Sequence, residues 1–147
     1  PEGLRQNGTI NTQVGHLIDI MPTCLELAGV KYPDEFNGTQ TTAPEGLSLL
    51  PAFAGRKLQR EFLFWEHEGN RAIRMGDWKL VAKVGTQMKF TPDDEDAWEL
   101  YDLESDPSET VDLAEKYPDR VKKMAAKWEQ EAIRIKAKPW PWDNQPE

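Results

Sequence analysis

Between Phe62 and Leu103 the chain is written as short apolar runs broken by tight-turn signals, and from Val121 to Ile135 it is written in the period of a helix. That switch of period is what most constrains the fold. Phe62-Leu63-Phe64-Trp65 is aromatic and apolar, Glu68-Gly69-Asn70 is turn material, and Arg71 to Met75 follows. Gly76-Asp77 makes a second tight turn, after which Trp78, Leu80 and Ala82 alternate with Lys79, Val81 and Lys83 as far as Val84. Gly85 to Ala97 reads as a loop with the acidic run Asp93-Asp94-Glu95-Asp96, and Trp98 to Leu103 reads as a fourth strand. Short strands joined by such turns make an antiparallel meander.

Further on, Val121, Met124, Ala125, Trp128, Ala132 and Ile135 fall on one helical face, while Arg120, Lys122, Lys123, Lys127 and Glu131 lie elsewhere around it. This is an amphipathic helix of about four turns. Asp106-Pro107-Ser108-Glu109 offers an earlier helix start, with an acidic cap, Pro at the first position and Glu at the third. The expected class is α+β, a four-stranded antiparallel sheet packed against a long C-terminal amphipathic helix.

The N-terminal part has a different character. Leu17, Ile20, Met21, Cys24, Leu25 and Leu27-Ala28 recur at helical spacing, Gly29 ends the run, and Pro22 places the start near Asp19. A helix is therefore expected over residues 19–28. Lys31 to Glu45 reads as loop, and residues 47–54 as a short helix stopped by Gly55.

The totals narrow the class. A chain of 147 residues is one domain's worth, and a hydrophobic fraction of 38% with six Trp and five Phe can bury a modest core. A net charge of −8 argues against non-specific nucleic-acid binding, which needs a basic footprint. One cysteine allows no internal disulfide. No apolar run approaches a membrane span, and Pro1-Glu2-Gly3-Leu4-Arg5 lacks the apolar core of a signal peptide. Asn-Gly-Thr sequons at Asn7 and Asn37 are short patterns that carry little weight.

The tract from Glu99 to Ala114, with Gly15-His16-Leu17-Ile18-Asp19-Ile20-Met21-Pro22-Thr23, resembles the C-terminal end of the type I sulfatases. These are the arylsulfatase-like enzymes of the alkaline-phosphatase superfamily. Arg74-Met75-Gly76-Asp77-Trp78-Lys79-Leu80 carries the same resemblance, whereas Asp112 stands where Asn is more usual. The resemblance implies a parent enzyme that hydrolyses sulfate esters with a formylglycine nucleophile and calcium. It implies that the nucleophile motif, the calcium carboxylates and most sulfate-binding residues belong to a larger N-terminal catalytic domain, outside these residues. Residues 1–58 would then be the end of that large α/β domain and residues 59–147 a C-terminal subdomain. The implied partners are the N-terminal domain and a sulfated carbohydrate or aryl sulfate, in a periplasmic or secreted setting.

The residues themselves carry little catalytic chemistry. In the family's conversion motif the target Cys or Ser is followed two later by Pro or Ala and four later by Arg. Cys24 is followed at those places by Glu26 and Ala28, and Ser105, with Pro107, by Glu109. Neither meets the pattern. The run Asp93 to Asp96 has oxygens but not the spacing of a calcium loop. Two His and one Cys at unrelated spacings make no zinc set.

Binding residues are better represented. Glu66-His67-Glu68-Gly69-Asn70-Arg71 is a polar cluster at a hairpin end, where rigid strands position binding groups. His67 and Asn70 could hydrogen-bond sugar or aryl hydroxyls, and Arg71 could take a sulfate or carboxylate bidentately. The bland alternative is a solvated turn. His16 could reach an active-site rim or simply bond backbone at a helix start. Arg74 and Lys79 read as surface charges. Trp140 and Trp142 lie among prolines and could serve a partner or cap the domain. A stand-alone carbohydrate- or protein-binding module, or a non-catalytic remnant, are the alternatives to a sulfatase region.

Overall fold

In the computed structural model, which describes Gly8, residues 10–83 and residues 98–138, the chain divides into two units, Pro1–Arg60 and Glu61–Glu147. The first unit opens with a single 3-10 turn, Leu17–Asp19, leading into α1, Ile20–Ala28. Pro22 is the third residue of α1, where a missing N–H removes no helical bond. Gly29 ends α1 in the left-handed conformation (φ 65°). Its N–H donates to Glu26 O at 3.1 Å and the Val30 N–H to Leu25 O at 3.0 Å, the paired closure of a glycine-stopped helix.

Residues 31–45 are not all loop, contrary to expectation. Strands β1, Glu35–Phe36, and β2, Thr39–Gln40, pair around Asn37-Gly38. Both turn residues have positive φ, 50° and 80°, the backbone of a type I′ turn. The short helix near 47–54 is trimmed to α2, Leu50–Phe53, with Pro51 in its first turn.

Asp19 organises this unit. It is completely buried, and its carboxylate pairs with the Arg60 guanidinium. It also accepts the Leu47 N–H at 2.9 Å and the His16 N–H at 2.8 Å. Burial alone would raise the Asp19 pKa; the hydrogen bonds from Arg60, Leu47 and His16 outweigh it and hold the carboxyl below the ordinary carboxylate range. Thr23 extends the network, donating its hydroxyl to Asp19 O and accepting the Leu49 N–H at 2.9 Å. The segment carrying Leu47 comes so close that a Cβ on Gly46 would sit 2.1 Å from Ile18 O. Only glycine allows that approach.

The second unit is the expected sheet and helix. Strands β3, Leu63–His67, β4, Asn70–Met75, β5, Trp78–Ala82, and β6, Trp98–Asp102, pair antiparallel in that order. Helix α3, Pro118–Arg134, covers one face. Ile73, Leu80 and Leu100, all fully buried, meet Met124, Trp128 and Ala132 of α3 there. Trp128 is the centre of this layer. Its ring stacks on Phe64 (centroids 5.2 Å apart, planes 16° apart), and Trp98 meets it edge-on at 6.1 Å. Its indole N–H donates to Trp65 O at 3.1 Å, so the largest buried side chain leaves no polar atom unsatisfied.

Asp106-Pro107-Ser108-Glu109 does not start a helix. The Asp106 carboxylate accepts the N–H groups of Thr110 at 2.7 Å and Val111 at 2.8 Å, which holds the chain in a turn, and Glu109 has a left-handed φ of 56°. The helix begins only at Pro118. Asp112 then ties this stretch to β6 by accepting the N–H of Leu100 and of Ala114, each at 2.9 Å. One carbonyl-type oxygen suffices for both bonds, so Asp can do here what Asn would. Among the described residues no helix is long and apolar enough to cross a membrane. Asn7, Val84, the Asp93–Asp96 run, Trp140 and Trp142 lie outside the described residues.

Candidate functional site on the outer face of the sheet

Strand register decides which side chains can act together. Opposite residues of an antiparallel pair share a face, and the face alternates residue by residue. In β3 and β4 the rungs Leu63–Arg74, Trp65–Ala72 and His67–Asn70 alternate with Phe64–Ile73 and Glu66–Arg71. Phe64 and Ile73 belong to the layer under α3. His67, Asn70, Trp65, Ala72 and Arg74 therefore stand on the outer face. Arg74 also pairs with Lys79 across β4 and β5, which brings Lys79 to the same side.

The His67–Asn70 rung closes the β3–β4 hairpin. Glu68 and Gly69 between them have φ of 49° and 81°, so the turn is again the I′ type. Glu66 accepts the Gly69 N–H at 2.9 Å, and the Asn70 amide donates to His67 O at 2.9 Å. The backbone of the tip is thus fixed by its own side chains. The His67 and Glu68 side chains are 83% and 80% exposed, with His67 Nε2 4.0 Å from Glu68 Oε2. The arrangement presents an imidazole and an amide on a rigid tip, groups suited to directed hydrogen bonds with hydroxyls.

Arg71 does not join them. It sits one residue further along β4 and so faces α3, with its guanidinium carbon 4.7 Å from the centre of the Trp98 ring and 5.7 Å from that of Trp128. Burial pulls its pKa down, and the charge of Glu129 works in the opposite direction. The expected cluster of three is therefore a pair, and the strand period alone separates Arg71 from it.

His16 caps the 3-10 turn: its Nδ1 accepts the Ile18 N–H at 3.3 Å, and its own N–H goes to Asp19. This is the helix-start role. Cys24 is exposed on α1. Among the described residues no group of three or more His, Cys, Asp or Glu could hold a metal ion.

The rest of the outer face forms a hollow of about 520 Å3, lined by Trp65, Ala72, Arg74, Lys79, Leu103, Pro107 and Glu109. Arg74 and Lys79 are not loose surface charges, since their side chains are only 23% and 25% exposed. Alternation would have put Trp65, Arg74 and Lys79 on one face. Glu109 reaches Lys79 from 30 positions away, and nothing local announces that.

The family described as N-sulphoglucosamine sulphohydrolase, C-terminal, matches residues 1–138. The chain is 36% identical over 118 residues to an uncharacterised sulfatase of Schizosaccharomyces pombe, covering 76% of this chain and 20% of that protein. It is 29% identical over 118 residues to arylsulfatase K of Xenopus laevis, covering 76% of this chain and 21% of that one. A solved structure described as a 2-O GAG sulfatase superposes with a TM-score of 0.57 at 25% identity, over 80% of this chain and 24% of that one. The chain thus spans about a fifth of the length of the curated relatives it matches. Match, fold and motifs agree: this chain belongs to the N-sulphoglucosamine sulphohydrolase C-terminal family and is the C-terminal region of a sulfatase.

Proposed function

We propose that this region serves an enzyme that hydrolyses sulfate esters, completing its fold and lining part of its substrate cleft with the β3–β4 hairpin tip. His67 and Asn70 are the contacting residues, binding substrate hydroxyls rather than reacting at sulfur. The observation that carries this reading is the exposed His67–Asn70 rung on a turn already fixed by its own hydrogen bonds. A group held rigidly and turned to solvent loses little freedom on binding. Arg71, packed over Trp98, holds the strand behind the tip rather than touching substrate.

Cys24 is followed by Glu26 and Ala28 rather than by the formylglycine pattern. On this reading calcium and formylglycine are supplied by the rest of the parent. Residues 1–58 fit the end of a larger α/β domain. Leu17, Ile20, Met21 and Leu27 are 77%, 54%, 54% and 66% exposed, an apolar surface suited to being covered. The substrate class is a sulfated carbohydrate or an aryl sulfate, the former favoured by the similarity to a 2-O GAG sulfatase.

The reading can be tested in the complete sulfatase. With Cys24→Ser as background, a cysteine placed by His67→Cys is labelled with a bulky thiol reagent in the presence and absence of a substrate analogue. Protection by the analogue is expected. Equal labelling rates in both would remove the hairpin tip from the cleft.

A further inference from the structure

We propose that the hollow on the outer face is a binding site for an anionic sugar unit, a ring of hydroxyls carrying a sulfate or carboxylate. It is distinct from the His67–Asn70 tip and does not depend on the tip's role. Its volume of about 520 Å3 falls within the range of small-ligand sites. Its lining combines three kinds of group. Trp65, Ala72, Leu103 and Pro107 provide apolar wall. An indole suits the C–H face of a sugar ring. The Lys79–Glu109 pair offers donors and acceptors of the kind that hydroxyls need. Arg74 supplies the anion site.

Arg74, not Lys79, takes the anion. Lys79 Nζ already bonds both Glu109 oxygens, at 2.6 and 2.9 Å, and the pair is three-quarters buried on the Lys79 side. An incoming anion would have to leave Glu109 without its partner, a costly exchange. Arg74 is engaged differently. Its Nε donates to Gly76 O at 2.8 Å, which aims the guanidinium. Among the described residues its terminal Nη2 faces Asp77 Oδ1 at 3.9 Å, beyond hydrogen-bond length, on a side chain 62% exposed. A pair that long and that solvated contributes little and is easily replaced. A guanidinium oriented through Nε and weakly held at its terminal nitrogens is prepared for a carboxylate or sulfate.

The test uses the 147-residue chain and three probes: a chondroitin sulfate tetrasaccharide, the same tetrasaccharide after chemical desulfation, and neutral cellotetraose. Binding is followed by calorimetry, with circular dichroism to check that each variant is folded. The sulfated probe should bind, and Arg74→Met should weaken it by about tenfold or more, the cost of one charge-assisted contact. Arg74→Lys, which keeps the charge and loses the fork, should recover only part of that loss. Trp65→Phe, which keeps an aromatic wall in case Trp65→Ala unfolds, should weaken binding less than Trp65→Ala. Lys123→Ala, an exposed position on α3 at the opposite face of the sheet, should leave it unchanged. The desulfated probe reports which anion Arg74 takes: retained binding assigns the carboxylate, lost binding the sulfate. Equal binding by folded Arg74→Met and wild type, or cellotetraose binding as tightly as the charged probes, would overturn the proposal.

Discussion

His67 and Asn70 face each other as the last rung of the β3–β4 ladder, and the Asn70 amide donates to the His67 carbonyl at 2.9 Å. The rung is therefore part of the turn as well as a candidate contact surface. A substitution at Asn70 should disturb both, whereas His67→Ala removes an imidazole that is 83% exposed and leaves the turn's own bonds in place. Thermal unfolding should show His67→Ala within about 0.5 kcal/mol of wild type, as for ordinary surface changes, and Asn70→Ala measurably less stable. A larger loss for His67→Ala would mean that the imidazole holds the hairpin.

Trp128 should be the most sensitive position of the second unit. Its ring is fully buried, stacks on Phe64 and donates to Trp65 O. Trp128→Ala should cost about 3–5 kcal/mol in urea unfolding, from the lost burial, the cavity and the lost indole hydrogen bond. A cost below about 1 kcal/mol would show that α3 does not depend on this contact.

Asp19 links the first unit to pH. Its carboxyl is held below its ordinary value when folded, so the stability it contributes is complete above the unfolded carboxylate pKa of 3.8 and is lost as pH falls through the lower folded value. Asp19→Asn should remove that acid-sensitive contribution and leave Arg60 buried without its counter-charge. The variant should therefore be less stable at neutral pH, by about 3–5 kcal/mol. Stability of the variant equal to wild type at pH 7, in chemical unfolding followed through the first unit, would contradict the role given to the pair.

Gly46→Ala should act on the same network. The added Cβ would meet Ile18 O at 2.1 Å and Asp19 N at 2.8 Å, backbone atoms that cannot step aside. Rapid amide exchange at Leu47, whose N–H donates to Asp19, is the expected signature. Unchanged protection there would mean that the segment can shift at little cost.

Much of the second unit is legible in the residues, for physical reasons. Alternation along β5 and the helical period from Val121 to Ile135 record which face is buried, so sheet and helix follow. The first unit shows less, because β1 and β2 have two residues each and no apolar alternation to mark them. Asn37-Gly38 was the signal available. The expected helix at Asp106 failed through competition, since the same carboxylate that can cap a helix instead accepts the Thr110 and Val111 amides. At the site, strand period alone would have set Arg71 apart from His67 and Asn70. The Lys79–Glu109 pair could not be foreseen, because it depends on how residues 103–112 return to the sheet.

The region by itself should not hydrolyse sulfate esters. Cys24 is exposed, yet Glu26 and Ala28 stand where the conversion pattern needs Pro or Ala and then Arg. Purified chain should show no turnover of a chromogenic aryl sulfate. Turnover that disappears in Cys24→Ala would establish a nucleophile here.

The most direct test of the central claim is substrate discrimination in the complete sulfatase carrying His67→Ala. Binding away from sulfur contributes to turnover of a large substrate and not of a minimal one. The variant should lose kcat/KM on the natural sulfated substrate, by about tenfold for one directed hydrogen bond in the transition state, while turnover of a minimal aryl sulfate stays near wild type. Equal losses on both substrates, or no loss on either, would contradict the assignment of the hairpin tip to the substrate cleft.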